Sequence, residues 1–315
     1  MTSTLPEDAL LLLPDSGESL RCAEHARRIS VAPGGTAVAA DVVVLIETPR
    51  PWPKPVFEHP LLQGLSSTME LRAGPARVLA AEPRAAGETP VVTVYERGEV
   101  GALGTVFEPP DADAVAGLVE DLTDTYPSEI ERWNAGPAPE LAVLVCTQGS
   151  HDICCGSDGV RLANELEQRA AGLAVYRVSH TGGHRFAPTA MTLPDGRMWA
   201  DVSVDELLSV LDLTGDAAAM AAKCRGWWGA QTGAPQVAEI ELLRRLGWNA
   251  DVLPREVAVE SAGEGWQVDI AVAREPWSFE IAAGRVVPTI ACRAEGGLPA
   301  KPGREYVVTA VSPPS

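Results

Sequence analysis

The stretch that decides the fold runs from residue 140 to 211: ELAVLVCT at 140–147, SDGVRLANELEQRAAG at 157–172, LAVYRVS at 173–179, TAMTL at 189–193, RMWADV at 197–202 and VDELLSVL at 204–211. The first run is continuously apolar and ends on a cysteine, as a strand covered on both faces does. Ser157 as a cap, Asp158 in the first turn and apolar Val160, Ala163 and Leu166 predict a helix that Gly172 closes. Residues 173–179, 189–193 and 197–202 predict three more strands, with Pro194-Asp195-Gly196 turning between the last two. Ser203 caps a final helix whose apolar face is Val204, Leu207, Leu208 and Leu211.

The resulting order, β-α-β-β-β-α, is the thioredoxin-like one, and residues 1–136 repeat it in degenerate form. Val42–Glu47 predicts a strand, Leu61–Leu71 a helix, and 77–81, 91–95 and 104–107 further strands. A helix from Asp111 to about Thr125 carries Val115, Leu118 and Leu122 on one face. Pro137 and Pro139 mark the joint. After Leu213 the pattern changes. Helices near 217–223 and 235–246 precede β-rich segments (REVAVES, WQVDIAVA, WSFEIAAG, VVPTIACR, EYVVTAV), which read as an antiparallel meander. The expected architecture is therefore α/β in three parts: a degenerate thioredoxin-like domain without ligands at 1–136, a thioredoxin-like cluster domain at 137–214, and a helical hairpin with a β-rich meander at 215–315. Trp227, Trp228, Trp248, Trp266 and Trp277 are expected in the core of the last part, which shows no chemistry of its own.

Composition excludes several roles. With 43 acidic and 25 basic residues, a formal charge of −18 is unsuited to reading nucleic-acid phosphates. No apolar run approaches the roughly 20 residues that span a bilayer, and the N-terminus lacks a signal-peptide pattern, so a cytoplasmic protein is expected. In that compartment six cysteines are metal-binding or catalytic sooner than a disulfide framework. Cys22, Cys224 and Cys292 stand in ordinary apolar surroundings and are expected in the core.

The remaining cysteines cluster in Cys146-Thr-Gln-Gly-Ser-His-Asp-Ile-Cys154-Cys155, at the end of the first strand. His180-Thr-Gly-Gly-His184 begins at the end of the second. Adjacent parallel strands lie about 4.8 Å apart, which places the two loops side by side. Gly182-Gly183 turns the histidine segment into a bent loop. Two thiolates and two imidazoles suit a structural zinc or a 2Fe-2S centre with histidines on one iron. The eight residues between Cys146 and Cys155 exceed the usual zinc spacing and favour iron-sulfur, but both stay open. A thiol-disulfide enzyme on Cys154 and Cys155 would be expected to show Cys-x-x-Cys at a helix start, which is missing.

CTQGSHDICCG followed by SHTGGHRFAPTAMTLPDGRMW closely resembles the sucrase/ferredoxin-like family of thioredoxin-like ferredoxins. The match is specific over 140–213. Ile46-Glu47 to Trp52, Glu58-His59-Pro60, Arg225-Gly226 and Pro235-Gln236 to Glu239 resemble the family more loosely. The resemblance implies a 2Fe-2S cluster on Cys146, Cys155, His180 and His184, and hence an electron carrier or redox-responsive protein with a redox partner protein that the sequence does not name. A zinc-stabilised interaction protein or a thiol-disulfide oxidoreductase are the alternatives. No carboxylate pair supports a glycosidase. Cys154 reads as an inert neighbour of Cys155, and His25, His59 and His151 as solvated. Ser179, Gly182, Gly183 and Arg185 are expected around the ligands, and Pro188 at the position where this fold commonly places a cis-proline.

Overall fold

The structure, a computed structural model, describes residues 5–84, 89–150 and 152–314; His151 lies outside the described residues. Two short helices, α1 (Glu7–Leu10) and α2 (Cys22–Arg28), precede the first unit. That unit comprises β1 (Val42–Glu47), β2 (Thr68–Leu71), β3 (Gly74–Ala81), β4 (Val92–Arg97), β5 (Ala102–Phe107), α3 (Ala112–Asp124) and a two-residue strand β6 (Gly136–Pro137). The second has β7 (Ala142–Cys146), α4 (Val160–Arg169), β8 (Ala174–Val178), β9 (Thr189–Leu193), β10 (Arg197–Ala200) and α5 (Val204–Leu211).

Each unit places a parallel pair beside an antiparallel hairpin. In the first the strands run β3-β1-β4-β5, and in the second β8-β7-β9-β10. The two half-sheets join through Ala81 and Val178, at the carboxyl tips of antiparallel β3 and β8. The two units thus share a strand order within one sheet. Because the tips meet, the loops leaving β1 and β3 abut those leaving β7 and β8. Arg50 Nη2 donates to Thr147 Oγ1 at 2.7 Å, and Gln148 Nε2 to Pro53 O at 2.8 Å.

Two local expectations are corrected. The helix expected over Leu61–Leu71 is a short turn at Pro60–Leu62 followed by β2. Gly64 takes a positive φ of 83° and interrupts any helix, and residues 68–71 gain cross-strand bonds to β3 in its place. The helix expected to start at Ser157 instead begins at Ile153. It passes through a wide turn at Cys155–Gly159 before α4. Asp152, not Ser157, holds its start, accepting the Cys154 amide at 2.8 Å.

The last part holds α6 (Ala217–Ala221), β11 (Cys224–Trp227), which extends the large sheet beside β10, and α7 (Ala234–Leu246). A four-stranded antiparallel sheet follows: β12 (Arg255–Ala262), β13 (Gly265–Val272), β14 (Glu275–Thr289) and β15 (Lys301–Ser312). VVPTI continues β14 and is no separate strand. Trp227 and Trp228 are buried as expected; Trp248, Trp266 and Trp277 are half-buried against the core. Under α7 lies a buried charge network in which Arg197 pairs with Glu239 at 2.6 Å and Asp251 at 2.7 Å, and Arg255 bonds both carboxylates. Among the described residues no helix is long and apolar enough to cross a membrane.

Candidate metal centre

The apolar run of β7 ends at fully buried Cys146. The Thr147 amide still bonds Val178 O at 3.0 Å, so the chain leaves the sheet directly above the end of β8. The loop that follows is compact because two glycines touch. A Cβ on Gly156 would stand 2.5 Å from the Gly149 Cα. The helical turn then passes over the strand end, and a Cβ on Gly159 would meet the Cys146 carbonyl at 2.0 Å. That closeness returns Cys155 to the side of Cys146.

From β8 the second loop is fixed by its backbone. His180 N donates to Gln148 Oε1 at 3.1 Å, and Arg77 Nη2 donates to His180 O at 2.8 Å. Gly182 and Gly183 both have positive φ, and a Cβ on Gly183 would strike the Arg225 guanidinium at 2.5 Å. The Ala187–Pro188 peptide is cis, as expected. One donor atom each from Cys146, Cys155 and His180 lie within 4.8 Å of one another. His184 stands beside them, its ring centroid 5.9 Å from that of His180. Its Nδ1 is turned to Asp152 Oδ2 at 3.0 Å and to Cys22 Sγ at 3.2 Å.

The electrostatics favour charge on sulfur. A hydrogen bond from Cys155 holds the Cys146 thiol well below its ordinary pKa against the cost of burial. His180 and the Thr181 amide add to the effect. Cys155, the donor, is pushed up correspondingly. Two arginines back this pair. Burial lowers Arg225 to about 10, and it lowers Arg77 as well. The Cys146 sulfur raises both again, and Cys155 further raises Arg225. Arg225 is held by Thr36 O at 2.5 Å and Gly182 O at 3.2 Å.

The other residues noted in the sequence have these partners. Ser179 Oγ accepts the Ala80 amide at 3.1 Å and so links the two half-sheets next to His180. Arg185 donates to Thr289 Oγ1 in the last part of the chain. His25 is buried, its Nε2 2.7 Å from Leu12 O, and His59 accepts the Leu61 amide at 3.3 Å. Cys224 is core, but Cys22 and half-buried Cys292 gather at Cys154 and Asp152. Sequence reasoning missed Arg77, Asp152 and Cys22. Arg225 was noted only as part of a resemblance. Asp152 could have been found from its place between the cysteines, where an Asp commonly starts a helix. Cys22 and Arg77 carry no such signal, because only the tertiary fold brings them near.

Cys146, Cys155 and His180 could together hold a metal, and His184 stands beside that group but outside it, its Nδ1 engaged by Asp152. No curated protein and no solved structure matches the chain. The sucrase/ferredoxin-like family profile matches residues 33–226, which contain both loops and end on Arg225-Gly226, and the chain belongs to the sucrase/ferredoxin-like family.

Proposed function

We propose that Cys146, Cys155, His180 and His184 hold one 2Fe-2S cluster and that the chain is a one-electron carrier or redox-responsive protein. The cluster would supply one-electron chemistry. The chain's own residues bind it, shield it and set its charge environment. The observation that carries the reading is the convergence of Cys146, Cys155 and His180 in front of Arg77 and Arg225, whose charges are offset by those sulfurs. Positive charge behind a site favours the state that holds an extra electron, a benefit that redox-inert zinc would not use. His184 contributes through Nε2 in this reading, since Asp152 engages Nδ1 and so fixes the ring, as outer carboxylates do for ligating histidines.

Aerobically purified protein is expected to be red-brown, with about two irons and two acid-labile sulfides per chain. Colourless protein with zinc on Cys146 and Cys155 and no iron overturns the reading.

A further inference from the structure

Three thiols and a carboxylate lie together around Cys154. Cys22 opens α2, Cys154 and Asp152 belong to the first loop, and Cys292 follows β14. Their four donor atoms lie within 4.8 Å of one another. We propose that Cys22, Cys154, Cys292 and Asp152 form a second metal site, for a thiophilic divalent cation such as zinc.

The distances match the ion. With Zn–S near 2.3 Å and Zn–O near 2.0 Å, a tetrahedral site has S···S edges of about 3.8 Å and S···O edges of about 3.5 Å. Cys22 Sγ stands 3.7 Å from Cys154 Sγ and 3.5 Å from Asp152 Oδ2. A disulfide would need those sulfurs at about 2.05 Å and would leave Cys292 and Asp152 without a purpose.

Backbone and side-chain groups also surround the four ligands. The Cys22 amide lies near the Cys292 sulfur and the Ala23 amide near the Cys154 sulfur, and each pulls its thiol pKa down. Asp152 is oriented from both sides, Oδ1 by the Cys154 amide at 2.8 Å and Oδ2 by His184 Nδ1 at 3.0 Å. Cys22, Cys154 and Asp152 are buried, while half-buried Cys292 leaves a way in. Binding converts the thiols to thiolates and releases their protons to solvent. Cys22 and Cys292 both lie outside the family-matched stretch, so the metal would clasp the segments before and after it onto the cluster loop.

The test uses the full chain, purified with reductant, given one equivalent of Zn²⁺ and dialysed. About one zinc per chain is expected, with a zinc-edge absorption spectrum showing three sulfurs near 2.3 Å and one oxygen or nitrogen near 2.0 Å. Cys22→Ser and Cys292→Ser should lose the zinc and keep the iron, whereas Cys146→Ser should lose the iron and keep the zinc. The two readings therefore fail separately. Should Cys22→Ser not fold, Cys292→Ser, at the half-exposed edge, decides alone. The proposal is overturned by wild type that retains no zinc, by zinc that survives Cys292→Ser, or by thiol titration showing a Cys22–Cys154 disulfide.

Discussion

Strand β1 ends at Glu47 and strand β7 at Cys146, and a threonine follows each, Thr48 and Thr147. In both, the threonine amide bonds the last residue of the neighbouring parallel strand, Thr48 to Ala81 O at 2.7 Å and Thr147 to Val178 O at 3.0 Å. The backbone makes the same edge twice. What leaves that edge differs. In the second unit a glycine-tightened loop and α4 bring cysteines back over the strand end. In the first, the crossover is a turn and β2, and the edge opens into a cavity of about 490 Å³ lined by Glu47, Pro49, His59, Pro60 and Pro83. Burial raises the Glu47 carboxyl. Strand order thus sets where chemistry can sit, and the crossover decides whether ligands reach it.

The largest effect should come from exchanging the chemistry of the two edges. Cys146→Ser is expected to take the iron content from about two per chain to near zero, since it removes a thiolate ligand. Glu47→Gln, at the equivalent strand end, should leave it unchanged. Iron and sulfide analysis of the purified variants checks both; equal iron in wild type and Cys146→Ser would break the contrast.

The outer hairpins differ in the same way. Arg197 opens β10 fully buried and pairs with Glu239 and Asp251, while β5 opens with Ala102 next to exposed Leu103. Glu239→Ala leaves Arg197 and Arg255 with Asp251 as their shared carboxylate, and removing one partner of a buried pair costs about 3–5 kcal/mol. Denaturant unfolding should show that loss, whereas Leu103→Ala should stay within about 0.5 kcal/mol of wild type.

Behind the cysteines, Arg225→Gln removes a buried positive charge. The midpoint potential should fall by on the order of 50–100 mV, the scale of a charge several ångströms away at an effective dielectric near 20. Arg225→Lys keeps the charge and should restore most of the value in a potentiometric titration. Equal potentials in all three proteins would remove Arg225 from the electrostatic account.

Strands and helices of the second unit were legible because each carries its own periodicity: ELAVLVC can only be covered on both faces, and Val204, Leu207 and Leu208 mark one face of a helix. Leu61–Leu71 was misread because leucines at 61, 62, 65 and 71 mimic a helical stripe, while the cross-strand partner that captures 68–71 lies in a hairpin that the local pattern does not reveal. The cysteine and histidine loops were legible from spacing and from the strand ends that launch them. Cys22 and Cys292 were read as core because each stands alone in apolar sequence surroundings, which do not reveal the thiols that the fold brings beside it. Arg77 and Arg225 needed the tertiary fold, since each approaches Cys146 from an element distant in sequence.

The turns that close the two hairpins give the smallest and sharpest contrast. Gly98–Gly101 links β4 to β5 with Val100 exposed, whereas Pro194-Asp195-Gly196 links β9 to β10 with Asp195 buried. Burial, reinforced by the charge of Asp251, raises the Asp195 carboxyl from 3.8 to about 6, against the opposing pull of Thr192 and Arg197. A carboxyl raised on folding binds its proton more tightly in the folded chain, so its stability contribution is present below about pH 4 and is lost as pH rises to about 6. The full loss, about 3 kcal/mol, is then in place at neutral pH. Asp195→Asn keeps an oxygen to accept from Thr192 Oγ1 at 2.7 Å and from the Arg197 amide at 3.1 Å, and removes the ionisation. The variant should be more stable than wild type by about 1–2 kcal/mol at pH 8, part of the gain being offset by the lost attraction to Arg197. Between pH 4 and 6 the difference should shrink towards zero as pH falls. Urea unfolding of both proteins at pH 4, 5, 6 and 8 measures this, with Glu99→Gln in the exposed turn as the control. A difference that stayed constant across the series, or a less stable Asp195→Asn at pH 8, would show that Asp195 is held ionised by Arg197 and Thr192 more strongly than burial opposes it.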